Sequence, residues 1–137
     1  MSYAKVINFQ KILYPEEYKS DYVFMYMTLN DELKDLIGKS GYEKKFKIKF
    51  HDGLRFLENL KSKCFLAPNL FENLIGSGGI YSMKLHGQKN IRILFVFEKI
   101  NNREIAVLLN CFEEKKTKDY VEEIAEAKAR WEKIVEV

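Results

Sequence analysis

The chain lacks the motifs of several common functional sites. Its only cysteines, Cys64 and Cys111, lie far apart in sequence and form no CxxC pair. This spacing excludes a thioredoxin-like redox site and a structural zinc site, which needs four clustered ligands. No phosphate-binding glycine loop, familiar catalytic triad, internal repeat or low-complexity segment is recognisable. We therefore expect a protein that uses neither a metal nor another cofactor.

Long hydrophobic runs are also missing. The N-terminal sequence MSYAKVINFQK lacks the apolar stretch of a signal peptide, and no later segment approaches the length of a membrane span. We therefore expect a cytoplasmic protein that does not bind membranes. The length of 137 residues and a hydrophobic content of 47% suit a single domain over residues 1–137 with one modest core.

The charges are nearly balanced in number but uneven in position. A net charge of +3, from 23 basic and 20 acidic residues, does not by itself identify a nucleic-acid-binding protein. Residues 84–92, however, contain Lys84, His86, Lys89 and Arg92 without a single carboxylate. A second basic group follows further along the chain: Lys115, Lys116 and Lys118. Clustered cations of this kind favour a polyanionic ligand, and RNA is the leading candidate.

The first 80 residues give mixed structural signals. Within residues 42–63, Phe46, Ile48 and Phe50 alternate with lysines as in a strand, but the segment also carries a longer apolar stripe at spacings of three and four. The longer pattern favours a helix, although Gly53 costs about 1 kcal/mol relative to alanine. The other predictions are a strand over 3–9, a helix beginning at Pro15, a helix capped by Asn30 and ended by Gly38, a short segment beginning at Pro68 and a turn over 76–79.

The remaining residues give clearer signals. Residues 80–86, 91–98 and 104–111 are strand-like, and the short connections between them require an antiparallel meander. The third of these strands is almost continuously apolar, which indicates a central position covered on both faces. Asp119 begins a helix, with Glu122 placed for an acidic variant of the capping box. The predicted apolar stripe of this helix contains Val121, Ile124, Ala125, Trp131 and Val135.

Strand alternation predicts where the basic side chains point. Ser82, Lys84 and His86 share one face of their strand, while the residues between them face the core. The following turn returns Arg92 to the neighbourhood of Lys84, and Tyr120 lies in the first turn of the last helix. RNA cleavage by the ribose 2′-hydroxyl needs positive charge on the phosphate together with groups that transfer protons. This set of side chains is suited to that reaction.

Several segments, taken in order, resemble the RelE/HigB toxins of type II toxin–antitoxin modules. They are GSGGIYSMK (76–84), IRILF (91–95), VLLNCF (107–112) and the stretch from Lys115 to Ala125. The resemblance covers about two thirds of the chain when residues 42–63 are included, and residues 1–41 match poorly. It implies an α+β fold, a small curved antiparallel sheet with N-terminal helices on one side and a C-terminal helix.

The resemblance also implies an activity and partners. Such proteins cleave mRNA, typically on the translating ribosome, and bind a cognate antitoxin, here expected to be a helix-turn-helix protein. By position, the resemblance assigns catalysis to five residues: Lys84, Arg92, Lys115, Lys118 and Tyr120. We assign contacts with the RNA backbone to His86, Lys89 and Lys116. Ser82 replaces the usual glutamate, and Glu114 stands where the first lysine of a pair is expected, unless a one-residue insertion makes Lys115 and Lys116 the pair.

Two other functions remain open on the sequence. A ParE-like inhibitor of DNA gyrase shares the fold, and fold alone does not fix function. Such a protein needs no phosphate-directed arginine, so Arg92, Lys84 and Lys118 favour the ribonuclease. A degenerate member that only binds its antitoxin is the third possibility, and Glu113 and Glu114 are its best support.

Overall fold

The computed structural model describes residues 5–6, 9–38, 41–100, 102–116 and 119–136, with only the backbone described at residues 5, 6, 135 and 136. The strands are β1 (Lys5–Val6), β2 (Phe9–Lys11), β3 (Val23–Tyr26), β4 (Phe71–Asn73), β5 (Tyr81–Leu85), β6 (Ile91–Ile100), β7 (Arg103–Glu113) and β8 (Val135–Glu136). The helices are α1 (Leu29–Ile37), α2 (Glu43–Leu60) and α3 (Asp119–Ile134), with a 3₁₀ helix over Lys61–Leu66.

Six strands form one sheet in the order β2-β3-β7-β6-β5-β4, and β1 pairs separately with β8. The predicted meander is confirmed, because β5, β6 and β7 pair antiparallel in sequence. The predicted central position of β7 is confirmed as well. The expectation of an antiparallel sheet is wrong for one pair, since β3 runs parallel to β7. The long crossover through α1 and α2, which separates β3 from the later strands, allows a parallel pairing that a tight turn would forbid.

The helices cover the sheet on both faces. Alternate residues of β6 point to opposite sides, so that Ile93 and Phe95 join a cluster with α1 and α2, while Leu94 and Val96 join a second cluster with α3. The predicted α+β class is confirmed by this arrangement of three helices and a mixed sheet. No helix in the described part of the chain is both long and apolar enough to cross a bilayer.

Helix α2 confirms the helical interpretation of residues 42–63. Its residues Phe46, Phe50, Leu54 and Leu57 are fully buried. Gly53 lies among them because the helix approaches β5 closely at this point. A Cβ atom added there would lie 3.1 Å from the sulfur of Met83.

Other predictions need correction near the N-terminus. No helix begins at Pro15, where the described chain forms turns instead. The strand predicted over residues 3–9 falls partly outside the described residues and otherwise appears as β1 and the first residue of β2. Helix α1 begins at Leu29 after Thr28, so Asn30 lies inside the helix. Gly38 ends this helix with a φ of 62°, as predicted.

The predicted stripe of α3 is wrong for Val121 and Ala125, which are exposed, while the side chain of Val135 lies outside the described ones. The helix instead buries a face with alternating spacings of four and three residues, which is typical of a helix packed on a sheet. That face contains Tyr120, Ile124, Ala127, Trp131 and Ile134.

Candidate functional site

Four of the predicted site residues line one cavity of about 480 Å³ on the α3 face of the sheet. They are Lys84, His86, Arg92 and Tyr120. We call this cavity the Arg92 pocket. Two carboxylates, Glu72 and Glu114, also line it, and Leu74, Ile75 and Ile124 form an apolar wall. The Arg92 pocket therefore combines basic, acidic and apolar groups within one opening.

Strand register explains why the basic residues meet. Lys84 of β5 is directly opposite Arg92 of β6 in the antiparallel pair. Opposite residues of such a pair project from the same face of the sheet. The intervening residues Met83 and Leu85 are buried on the other face, against α2. The predicted orientation of Ser82 and Lys84 is thus confirmed.

Arg92 is held at the base of the pocket with only 7% of its surface exposed. Its Nε donates to Oε2 of Glu114 over 2.7 Å, and its Nη1 donates to the carbonyl of Ile91 over 3.3 Å. Glu114 is anchored in turn, because its backbone N–H donates to the carbonyl of Asn90 over 2.9 Å. The ion pair places one carboxylate beside the guanidinium that would otherwise face an incoming anion.

Tyr120 closes the pocket from the side of α3. Its ring packs edge-on against Phe112, and its hydroxyl lies 3.3 Å from Oγ of the buried Ser82. Burial raises the pKa of Tyr120, while hydrogen bonding with Ser82 and the charge of Arg92 oppose that rise. Tyr120 is therefore a neutral hydroxyl at neutral pH, and it can donate a hydrogen bond but cannot act as a base.

The other predicted residues that the structure describes, Lys89, Lys115 and Lys116, do not line the Arg92 pocket. Lys89 donates to the carbonyl of Leu36 at the end of α1 over 3.1 Å. Lys115 and Lys116 are exposed, and their backbone N–H groups donate to the carboxylate of Asp119. Lys118 lies outside the described residues. The predicted site is thus assembled in its strand portion, and the side chains of the lysine-rich turn are not part of it where the turn is described.

Glu72 is the charged pocket residue that the sequence pattern missed. It lies on β4 directly opposite Ser82, and therefore on the same face as Lys84. A strand of three residues is too short to show a period. Burial does not alternate here, since Glu72 and Asn73 are both exposed beside the buried Phe71, so no local period could have indicated Glu72.

A second arginine, Arg130, has a side chain that is only 12% exposed, and its surroundings differ from those of Arg92. Arg130 of α3 donates through Nη1 and Nη2 to the two oxygens of Glu32, each over 2.6 Å. It also donates to Glu126 and to the carbonyl of Leu109, over 2.9 and 2.8 Å. Its guanidinium lies 4.8 Å from the ring centre of Tyr26. We call this group the Arg130 cluster, and it ties α3 to α1 and β7.

The described residues hold neither a cluster of metal ligands nor an ionised thiol. No three His, Cys, Asp or Glu side chains in the described ranges are placed to hold a metal ion. Burial raises the pKa of Cys64 to about 11 and that of Cys111 to about 12, so that neither thiol is ionised at neutral pH. Comparison with known protein families and with curated proteins found no match.

Proposed function

We propose that the Arg92 pocket binds a phosphodiester of RNA and that the protein is a metal-independent endoribonuclease. The observation that carries this proposal is the presence of Lys84, His86, Arg92 and Tyr120 around a single cavity. Three groups that can carry positive charge suit a phosphate, and the neutral hydroxyl of Tyr120 adds a hydrogen-bond donor. The apolar wall formed by Leu74, Ile75 and Ile124 is suited to the face of a base.

The proposed reaction is attack by a ribose 2′-oxygen on the adjacent phosphorus. A bond forms between that oxygen and phosphorus, and the bond to the 5′-oxygen breaks. The products are a 2′,3′-cyclic phosphate and a 5′-hydroxyl. The 2′-hydroxyl loses a proton and the leaving 5′-oxygen gains one. Arg92 stabilises the charge that develops on the phosphate, and Tyr120 orients an oxygen. One of Lys84 and His86 accepts the proton of the 2′-hydroxyl, and the other donates a proton to the leaving 5′-oxygen.

The biological setting of this proposal comes from the resemblance to RelE/HigB toxins. In that setting the substrate is mRNA on the translating ribosome, in the cytoplasm. The inhibitor is an antitoxin of the helix-turn-helix type. A RelE/ParE-like arrangement of the sheet and helices is part of the same proposal.

The ion pair between Arg92 and Glu114 supports a second candidate function, antitoxin binding without catalysis. A carboxylate 2.7 Å from Nε of Arg92 already supplies the anion that this arginine needs for stability. In that case Arg92 would hold the end of β7 in place rather than bind phosphate. The two functions differ in whether a folded protein is toxic.

Induced expression in a bacterial host tests the proposal. The wild-type protein should stop growth and produce discrete cuts in mRNA, and Arg92→Ala should abolish both effects. Arg55→Ala is a matched control, because Arg55 is exposed on α2 and pairs only with Asp52, at 3.6 Å, among the described residues. The control variant should remain as toxic as the wild type.

Other outcomes of this experiment would contradict the ribonuclease proposal. Growth arrest that persists undiminished in Arg92→Ala would exclude a role for Arg92. Double-strand breaks in DNA with intact mRNA would favour a gyrase inhibitor. A verified folded protein without toxicity would favour the function limited to antitoxin binding.

A further inference from the structure

We propose that Glu114 is a built-in competitor for the phosphate, and that RNA binds the Arg92 pocket by displacing its carboxylate. This inference rests on the proposed function and concerns the regulation of the same site. Glu114 lies 2.7 Å from Nε of Arg92, on the donor edge that a phosphate oxygen would use. The Nε donor of Arg92 is therefore already occupied by a side chain of the protein itself.

The side chains of Arg92 and Glu114 differ in solvent exposure and in the number of other contacts that hold them in place. The Arg92 side chain is only 8% exposed and keeps a second hydrogen bond, to the carbonyl of Ile91. The Glu114 side chain is 27% exposed and follows the last residue of β7, just before the exposed Lys115 and Lys116. Its anchor is a backbone hydrogen bond to Asn90, which leaves the side-chain torsions free to change. Displacement would thus move the carboxylate into solvent and leave the guanidinium in place.

Carboxylate and phosphodiester groups compete for the same donors. Each presents anionic oxygens that suit the planar guanidinium. Holding both beside one arginine would place two anions together, which is unfavourable in a partly buried site. The observed affinity for RNA is then the intrinsic affinity multiplied by the fraction of molecules in which Arg92 is free.

This arrangement favours a polyanion over a single phosphate. A lone phosphate gains little by replacing one anion with another. An RNA strand adds contacts with Lys84 and His86 on the same side of the pocket, and these contacts can offset the lost ion pair. Glu114 therefore keeps the site closed to small anions.

The second carboxylate of the pocket provides an internal control. The carboxylate of Glu72 forms no hydrogen bond or ion pair with any residue that the structure describes. The Glu72 carboxylate repels an anion through its charge, but it forms no ion pair with Arg92. Glu113 is a second control, because it adjoins Glu114 and lies opposite Ile91 rather than Arg92 in the strand register.

The test is equilibrium binding of a fluorescein-labelled 2′-O-methyl RNA oligonucleotide, which cannot be cleaved through its 2′-oxygen. Fluorescence anisotropy would compare the wild type with Glu114→Gln, Glu72→Gln and Glu113→Gln, three variants with the same change in charge. We expect the Kd of Glu114→Gln to fall by roughly tenfold or more, as for a site free in about one molecule in ten. The Kd of Glu72→Gln should fall by less than about threefold, and the Kd of Glu113→Gln should equal that of the wild type.

The outcomes separate this inference from the function on which it rests. Absence of RNA binding by the wild type and by every folded variant would overturn the proposed function. Binding by the wild type with equal or weaker binding by Glu114→Gln would overturn displacement alone, and Glu114 would then position Arg92.

A measurement on the wild type keeps the inference testable if Glu114→Gln does not fold. The side-chain carboxyl ¹³C resonance of Glu114 should shift toward the value of a solvated glutamate when the oligonucleotide is added. The Nε–H resonance of Arg92 should change at the same oligonucleotide concentration. Saturated RNA binding that leaves the Glu114 resonance unchanged would overturn displacement.

Discussion

The Arg92 pocket and the Arg130 cluster each contain a nearly buried arginine, but the two arginines differ in their hydrogen-bond partners. The side chains of Arg92 and Arg130 are 8% and 12% exposed, and each pairs with a glutamate. Arg130 makes four hydrogen bonds, three to carboxylate oxygens and one to a carbonyl, and lies over a tyrosine ring. Arg92 has one carboxylate partner and one longer bond to a carbonyl.

The difference lies in how many donors remain for a ligand. A guanidinium has five N–H donors, and Arg130 commits most of them to the protein. Arg92 instead lines a cavity, together with Lys84 and His86. We infer that the Arg130 cluster stabilises the fold, whereas the Arg92 pocket retains binding capacity.

The largest expected effect is on stability, from Arg130→Ala. Removing this side chain leaves Glu32 and Glu126 without their guanidinium and should lower the free energy of unfolding by about 3 kcal/mol. Urea denaturation would measure the loss, and the exposed-site control Arg55→Ala should change stability by less than about 0.5 kcal/mol. RNA cleavage per folded molecule should remain close to the wild-type rate. A decrease in the free energy of unfolding below about 1 kcal/mol would mean that the Arg130 cluster does not stabilise the packing of α3 on α1 and β7.

The next largest effect is on activity, from Arg92→Ala. Loss of the group that stabilises charge on the phosphate should slow RNA cleavage by roughly 100-fold or more. Glu114 can turn to solvent when its partner is removed, so stability should fall by only about 1 kcal/mol. A combined measurement of cleavage rate and urea denaturation would establish this pattern. If Arg92→Ala is strongly destabilised but keeps the wild-type cleavage rate per folded molecule, Arg92 has a structural role and not the assigned role in activity.

A smaller effect is expected from Tyr120→Phe. The ring contact with Phe112 is retained, and only the hydroxyl beside Ser82 is lost. Cleavage should slow by about tenfold, the worth of one good hydrogen bond. Tyr81→Phe, which changes a tyrosine on the opposite face of β5, is the matched control.

The pH profile offers a further check on Tyr120. Because burial raises the pKa of Tyr120 above its ordinary value of 10.0, its ionisation should not appear in the profile at or below neutral pH. A titration near neutrality that disappears in Tyr120→Phe would contradict the role of a neutral donor.

The smallest effect is expected from Lys115→Ala combined with Lys116→Ala. Both side chains are exposed and do not line the Arg92 pocket. Binding of RNA should weaken by less than about tenfold, with a shallower dependence on salt, as for contacts with phosphates outside the site. Lys84→Ala should weaken binding more. An equal loss of RNA affinity in Lys84→Ala and in the double variant would mean that Lys115 and Lys116 belong to the binding site.

Local patterns predicted much of the strand portion of the site. Lys84 and Arg92 are separated by a short turn, so alternation and register were enough to bring them together. The apolar stripe of α2 likewise outweighed the competing strand pattern, because five large side chains recur at helical spacing. The central position of β7 followed from its continuous apolar run.

Interactions between distant segments were not predictable in this way. Arg130 and Glu32 are 98 residues apart, and the parallel pairing of β3 with β7 depends on a crossover through two helices. Glu72 lies on an edge strand too short to show a period. The buried face of α3 is set by how the helix meets the sheet, which the pattern around Val121 does not reveal.

The most direct test of the central claim is cleavage of mRNA on translating ribosomes by purified protein, with the cut ends mapped and their chemistry determined. We predict that the wild type and Arg55→Ala cut mRNA to give 2′,3′-cyclic phosphate ends, and that Arg92→Ala does so at least about 100-fold more slowly. Cleavage by Arg92→Ala at the wild-type rate, or none by a folded wild-type protein, would contradict the account.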